Sequence, residues 1–365
     1  CFELEQVFKN FKGYCGGKNW DMIENFYTSM QYKGFNKTIQ LDGSGFDRTQ
    51  NIYLKRLIDF KIYKTLVQLR KIHHVDDKTF LYYATMENKR ICGEYFSNGI
   101  RRKMGNIIVQ GTVLSGSMDT TLMNTIRMSL YNRYVIEKHM KILPVNYDLL
   151  VKGDDAVVFI NSSTPNDLIT TCYYKVFSQA KTGIHGLGQI AKYLKIGDIG
   201  DVDFCSTETF WAPSIQSFKI VRKLDRFLTF TAWSRKALSL SSDMLKWHKH
   251  SLYLSNLKWM DGLPLLTEYN NTLRQENLPP IKVTTGLSKI TLKPEDIGEY
   301  DWLLQSKDEI WSNKDRYSTH KPDPVDYLHY LLIRRKIPES VIIDLMNDLE
   351  KGVTQIDSPI IHFIK

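Results

Sequence analysis

Two apolar runs flank a tight turn between Tyr147 and Ile160. Tyr147-Asp-Leu-Leu-Val-Lys152 and Ala156-Val-Val-Phe-Ile160 read as the arms of a hairpin, with Gly153, Asp154 and Asp155 at its tip. A shorter apolar run, Thr38-Ile-Gln-Leu41, predicts a strand ending at Asp42. Apolar positions then recur at helical spacing at Ile52, Leu54, Leu57, Ile58, Ile62, Leu66 and Leu69. Residues 1–37 mix polar and aromatic positions, with a helix predicted over Trp20–Met30. Residues 71–112 are polar with hairpin character, and Ser97-Asn98-Gly99 is their clearest turn signal. Leu, Met and Ile positions predict a helix over Thr120–Met140. A turn-rich stretch, 161–166, precedes a helix predicted over Asp167–Ala180 and strands over Gln189–Ile196 and Asp203–Ser206. Strand, helix, hairpin, helix, strand is the order of an α+β layer: an antiparallel sheet with helices on one face. Residues 234–365 read as mainly helical, with polar linkers at Asn277–Pro280 and His320–Pro324.

Length changes the picture first. At 365 residues and 42% hydrophobic content the chain can build one large multi-lobed unit or two domains. No run approaches the roughly 18 apolar residues of a membrane helix, so any membrane anchor is expected in other segments. A net charge of +9 suits a polyanionic partner without saying which. The five cysteines (Cys1, Cys15, Cys92, Cys172 and Cys205) are odd in number, far apart and without paired metal spacing, which points to reduced thiols. His73-His74 near Asp76-Asp77 reads as a polar loop or a metal cluster. Gly183, Gly186 and Gly188 do not form a dinucleotide fingerprint.

The chemistry lies in three segments. Adjacent carboxylates at Asp154 and Asp155 repel, and a divalent cation is the usual remedy. Gly and Asp also favour plain solvated turns. About one chain in fifteen of this length carries Gly-Asp-Asp by chance at average composition, so its companions decide. Upstream, Asp42 ends a strand and Asp47 lies on the turn into a helix, where a carboxylate also suits the helix dipole. Between them and the hairpin comes Ser115-Gly-Ser-Met-Asp-Thr120, opening a helix with Thr120 and Asn124 one turn apart. Such a loop offers N–H groups and hydroxyls to phosphate or sugar oxygens, and it also suits an ordinary capped helix start. The capped start leaves Asn124 unexplained in a helix otherwise rich in Leu, Met and Ile.

In this order the segments resemble the palm of the RNA-dependent RNA polymerases of positive-strand RNA viruses, most closely the tombusvirus-like branch. Motif A of that family, Asp, four residues, Asp, matches Asp42 and Asp47. Motif B matches Ser115, Gly116, Thr120 and Asn124, and motif C matches Gly153, Asp154 and Asp155. Val202-Asp-Phe-Cys-Ser206 is similar to the motif E turn. Gly45 departs from the Arg usual in that branch, which leaves the subgroup open. The match by motif covers roughly residues 36–206.

The resemblance implies a right-hand architecture with a residual fingers segment over 1–37, a palm over 38–209 with a fingers insertion at 71–112, and a mainly helical thumb over 210–365. It implies template-directed RNA synthesis from ribonucleoside triphosphates, replicating a viral RNA genome. Asp42, Asp154 and Asp155 would be catalytic, holding two Mg²⁺ ions with the Gly43 carbonyl, and Mn²⁺ would substitute. Asp47, Ser115, Gly116, Thr120 and Asn124 would bind substrate. Cys205 and Ser206 would support the primer end, and Lys192 or Lys195 would act as general acid. Expected partners are an RNA template and product strand, nucleotides and other viral replication proteins. The expected setting is a membrane-associated complex in host cytoplasm. Cys1–Gln40 holds scattered lysines but no basic strand pair to grip a triphosphate, so a partial chain, inactive alone, is expected. The other readings are a non-catalytic RNA-binding or scaffolding fragment and, more weakly, a metal nuclease. Lys219-Ile-Val-Arg-Lys-Leu-Asp-Arg226, followed by Phe227, Phe230 and Trp233, suits a nucleic-acid backbone with stacked bases, or equally a charged outer face.

Overall fold

In the computed structural model, described for residues 13–16, 20–69, 89–98, 100–109, 112–113, 120–177, 186–224, 242–243, 245–246, 249–250, 252–253, 256, 262–277, 281–285, 288–292 and 321–351, the chain is α+β with antiparallel sheets. It divides into two compact units, Cys1–Cys205 and Ser206–Lys365. The motifs alone place the boundary after residue 209.

The first unit is built on a four-stranded sheet in the order β4 (Tyr147–Lys152), β5 (Asp155–Ile160), β1 (Lys37–Gly43), β6 (Ala191–Asp198). All three pairings are antiparallel. Strand side chains alternate between faces. Ile39 and Leu41, Leu149 and Val151, and Ala156, Val158 and Ile160 enter one core. Two helices close that core: α5 (Thr120–Arg133) through Leu122, Met123 and Ile126, and α6 (Asn166–Val176) through Ile169, Tyr173 and Val176. Burying one such aliphatic side chain contributes roughly 1.5–3 kcal/mol.

The expectation of helices on one face is corrected by α1 (Trp20–Tyr32), which lies on the other. The Phe26 and Tyr27 rings stand 5.4 and 5.6 Å from the Phe159 ring. That face carries buried polar side chains from β1, and both Thr38 and Gln40 find partners. Thr38 donates to the Asp198 carbonyl at 3.0 Å. Gln40 donates to the Asp201 carbonyl at 3.2 Å and accepts from the Asp203 N–H at 2.6 Å. Residues 13–15 run parallel to the free edge of β4, with Cys15 N–H donating to the Val151 carbonyl. Residues 13–15 and α1, both within the segment expected as residual fingers, thus pack against this sheet.

Between β1 and α5 the helical pattern breaks into α2 (Phe46–Thr49), α3 (Ile52–Leu57) and α4 (Asp59–Leu69). Asn51 caps α3, its side chain accepting from Leu54 N–H. A hairpin follows, β2 (Lys89–Ser97) with β3 (Ile100–Val109), turning at Asn98, whose φ is 52°. Beyond α5 the helix continues as a π turn, Tyr134–His139. The short strand β7 (Asp203–Phe204) ends the unit's secondary structure.

The second unit, expected to be mainly helical, also holds strands. It opens with a hairpin, β8 (Thr207–Ala212) and β9 (Ser217–Arg222), and contains another, β10 (Ile281–Thr285) with β11 (Ser288–Leu292). Period-two burial of Thr207, Thr209, Phe218 and Ile220 carries the first hairpin. The basic character of 219–226 had masked that alternation. Helices α7 (Leu266–Thr272), α8 (Pro324–His329) and α9 (Glu339–Glu350) share a core with Phe210 and Val221. Glu208 accepts from the Tyr330 hydroxyl at 2.7 Å and from Arg335 at 2.8 Å. Residues 225–241, including Phe227, Phe230 and Trp233, lie outside the described residues, as do His73, His74, Asp76, Asp77 and Gly183. No helix among the described residues is long and apolar enough to cross a membrane.

Candidate active site

The hairpin tip is fixed by one backbone angle. Lys152 pairs with Asp155, leaving Gly153 and Asp154 as a two-residue turn. Both primed turns that suit such hairpins need positive φ at the first position. Gly153 supplies it, with φ 64°. A Cβ there would meet nothing within 4 Å, so backbone conformation rather than space selects glycine. Gly153 N–H donates to the Thr125 hydroxyl at 2.7 Å, and that hydroxyl donates to the Thr121 carbonyl at 2.6 Å. The turn is therefore tied to α5.

Register brings Asp42 toward this tip. Leu41 and Ala156 form the last pair of the β1–β5 ladder, so Asp42 follows that pair on one strand and Asp155 precedes it on the other. On the other side of β1, Asp42 pairs with Tyr193 but Gly43 with Ala191. Lys192 is the extra residue of that β-bulge, and bulges re-aim side chains. Its ammonium lies 3.2 Å from Asp42 Oδ2. Lys195, the other candidate, donates instead to the Asp201 carbonyl.

The electrostatics record the crowding. Asp154 is exposed at its surface, yet partial desolvation, and then the charges of Asp47 and Asp42, raise its carboxyl above the ordinary range, against a lowering bond from its own backbone. Burial, then Asp154, Asp203 and Asp42, raise Asp155; a hydrogen bond from the Cys205 thiol acts the other way. Burial and Asp155 push the Cys205 thiol far above the usual thiol range. Tyr193 is raised by burial and by Asp203, Asp42 and Asp155. Carboxylates from four separate segments thus feel one another at one end of the sheet.

A second group adjoins them. Gly45, with φ 58°, starts α2, and buried Phe46 anchors it beneath Asp47. The left-handed backbone at 45 is one that arginine, the residue usual in the resembling family, adopts only with strain. Gln189 clamps α2: its Oε1 accepts from Thr49 at 2.7 Å and from Gln50 at 3.1 Å. Asn124 Nδ2 donates to Asp47 Oδ1 at 2.6 Å. Asn124 Oδ1 accepts from Arg127 Nη1 at 2.7 Å, and the Arg127 fork grips both oxygens of Asp59. Thr120 is the first residue of α5 and half-buried. Cys205 and Ser206 take successive positive φ values of 54° and 62°. Ser115 and Gly116 lie outside the described residues.

Arg127, Asp59 and Thr125 were not singled out by motif reasoning. One signal was available: Arg127 is a charge set between Ile126 and Met128, one turn beyond Asn124, and a buried charge needs a partner.

Among the described residues, no three His, Cys, Asp or Glu side chains are close enough to hold a metal ion as they stand. Their donor chemistry nonetheless fits a hard divalent cation. Asp42, Asp154 and Asp155 offer carboxylate oxygens, and their mutual repulsion is what such an ion relieves. No family model matches the chain, and no curated protein matches it.

Proposed function

We propose that this chain carries the catalytic core of an RNA-directed RNA polymerase, joining ribonucleoside triphosphates on an RNA template. One observation carries the reading: Asp42 and Asp155 adjoin the last pair of the β1–β5 ladder, with Asp154 beside them, and all three are within electrostatic reach of one another. The Asp47–Asn124 pair adds a donor and an acceptor suited to sugar hydroxyls nearby.

In this reading Asp42, Asp154 and, as an accessory ligand, Asp155 would hold two Mg²⁺ ions, with the Gly43 carbonyl. When bound, such ions activate an attacking hydroxyl and neutralise charge on departing pyrophosphate. Asp47 and Asn124 read the ribose. Lys192, which its bulge brings to Asp42, would be the proton donor to pyrophosphate. Cys205, bonded to Asp155, couples the turn beneath the primer end to the catalytic hairpin.

The test uses protein expressed from its complete reading frame, an RNA template, the four ribonucleotides and Mg²⁺ or Mn²⁺. Templated incorporation that Asp42→Asn and Asp154→Asn abolish is the expected result. RNA binding without incorporation in either metal would overturn it in favour of a scaffolding protein.

A further inference from the structure

We propose that the buried Asp59–Arg127 pair is a positioning device. It fixes which way the Asn124 amide points, and so sets the preference for ribonucleotides over deoxyribonucleotides. The inference rests on the ribose-reading role of Asp47 and Asn124 proposed above.

Arg127 and Asp59 are each 1% exposed, and Arg127 heads the wholly buried large side chains. A buried ion pair is weak evidence for stability, because apolar residues of similar size often serve as well. Its geometry does something an apolar pair cannot. Nε and Nη2 of Arg127 bind the two oxygens of Asp59, which fixes the guanidinium plane and aims Nη1 at Asn124 Oδ1. A guanidinium only donates. Asn124 must therefore turn its oxygen toward Arg127 and its NH₂ toward Asp47. The flipped amide would set N–H against N–H on one side and oxygen against carboxylate on the other.

That orientation leaves two groups for a ligand. The Asn124 NH₂ has two hydrogens, and Asp47 takes one. Asp47 Oδ2 has no hydrogen-bond partner among the described residues. A donor and an acceptor then stand side by side. A 2′-hydroxyl both donates and accepts, so it satisfies the pair; deoxyribose leaves them unmet.

The experiment compares ATP and dATP incorporation on one RNA template with Mg²⁺, as kcat/KM ratios, alongside melting temperature. It uses protein from the complete reading frame: wild type, Arg127→Met with Asp59→Leu, and Arg127→Lys. The double variant is expected to melt like wild type, yet to lose ribose preference on the order of ten-fold. The loss should fall on ATP, with dATP nearly unchanged. Arg127→Lys keeps the charge without the fork and should also lower the ratio; it serves alone if the double variant fails to fold. A folded variant with the wild-type ratio, or equal losses for both sugars, overturns the positioning role. Wild-type protein that incorporates neither sugar overturns the polymerase reading itself, and this inference with it.

Discussion

Replacing Thr125 by Val removes one hydroxyl and keeps the β-branched shape. In the native protein that hydroxyl accepts from Gly153 N–H at 2.7 Å while donating to the Thr121 carbonyl. Thr121 keeps its ordinary helical partner in the variant, so the loss falls on Gly153. A buried donor left unpaired costs about 1–3 kcal/mol. Gly153 is half-buried and water reaches it in part, so the lower end applies, about 1–2 kcal/mol. For a unit the size of Cys1–Cys205 each kcal/mol shifts melting by about 2–4 °C. Thr125→Val should then melt roughly 2–8 °C lower, while Thr125→Ser, which keeps the hydroxyl, stays near wild type. Amide hydrogen exchange read at Gly153 isolates the cause: faster in the Val variant, native-like in the Ser variant. Equal melting and equal Gly153 protection in all three proteins would show that α5 does not hold the turn.

The other predictions concern the same end of the sheet. Asp154→Asn should abolish incorporation and leave RNA affinity nearly unchanged, measured by filter binding. The Asp154 carboxyl is raised in the folded protein, so the native state binds more protons than the unfolded chain once pH exceeds the ordinary carboxylate value of about 3.9. Stability is lost as pH rises from there through the raised value. Without metal, Asp154→Asn should therefore melt above wild type at pH 7, with the difference vanishing near pH 3.5 or below; an identical difference at both pH values refutes the crowding. Arg127→Met alone leaves Asp59 buried without its fork partner and should cost about 3–5 kcal/mol in urea unfolding; a loss under about 1 kcal/mol would deny the pair. Gly153→Ala should cost about 1–2 kcal/mol through its positive φ, and Gly153→Asn less, since Asn tolerates that region.

Local backbone structure was legible in the sequence. Two apolar runs around Gly153-Asp154 specify a hairpin, because period two and a glycine at the positive-φ position admit little else. The strand ending near Asp42 and helices α1, α5 and α6 follow from periodicity in the same way, within a few residues. What tertiary structure decided is non-local. Asp42 meets Asp155 only through the β1–β5 register, and register depends on which faces two distant strands bury. Lys192 rather than Lys195 reaches Asp42 because the β1–β6 pairing slips by one residue at Gly43, a bulge with no sequence signature here. Asp47 and Asn124 lie 77 residues apart, and Arg127 and Asp59 68. Periodicity assigns each of these to an element and a face, but not to one another. The packing of α5 over the sheet, beside the segment that follows β1, turns four separate polar residues into one chain of hydrogen bonds.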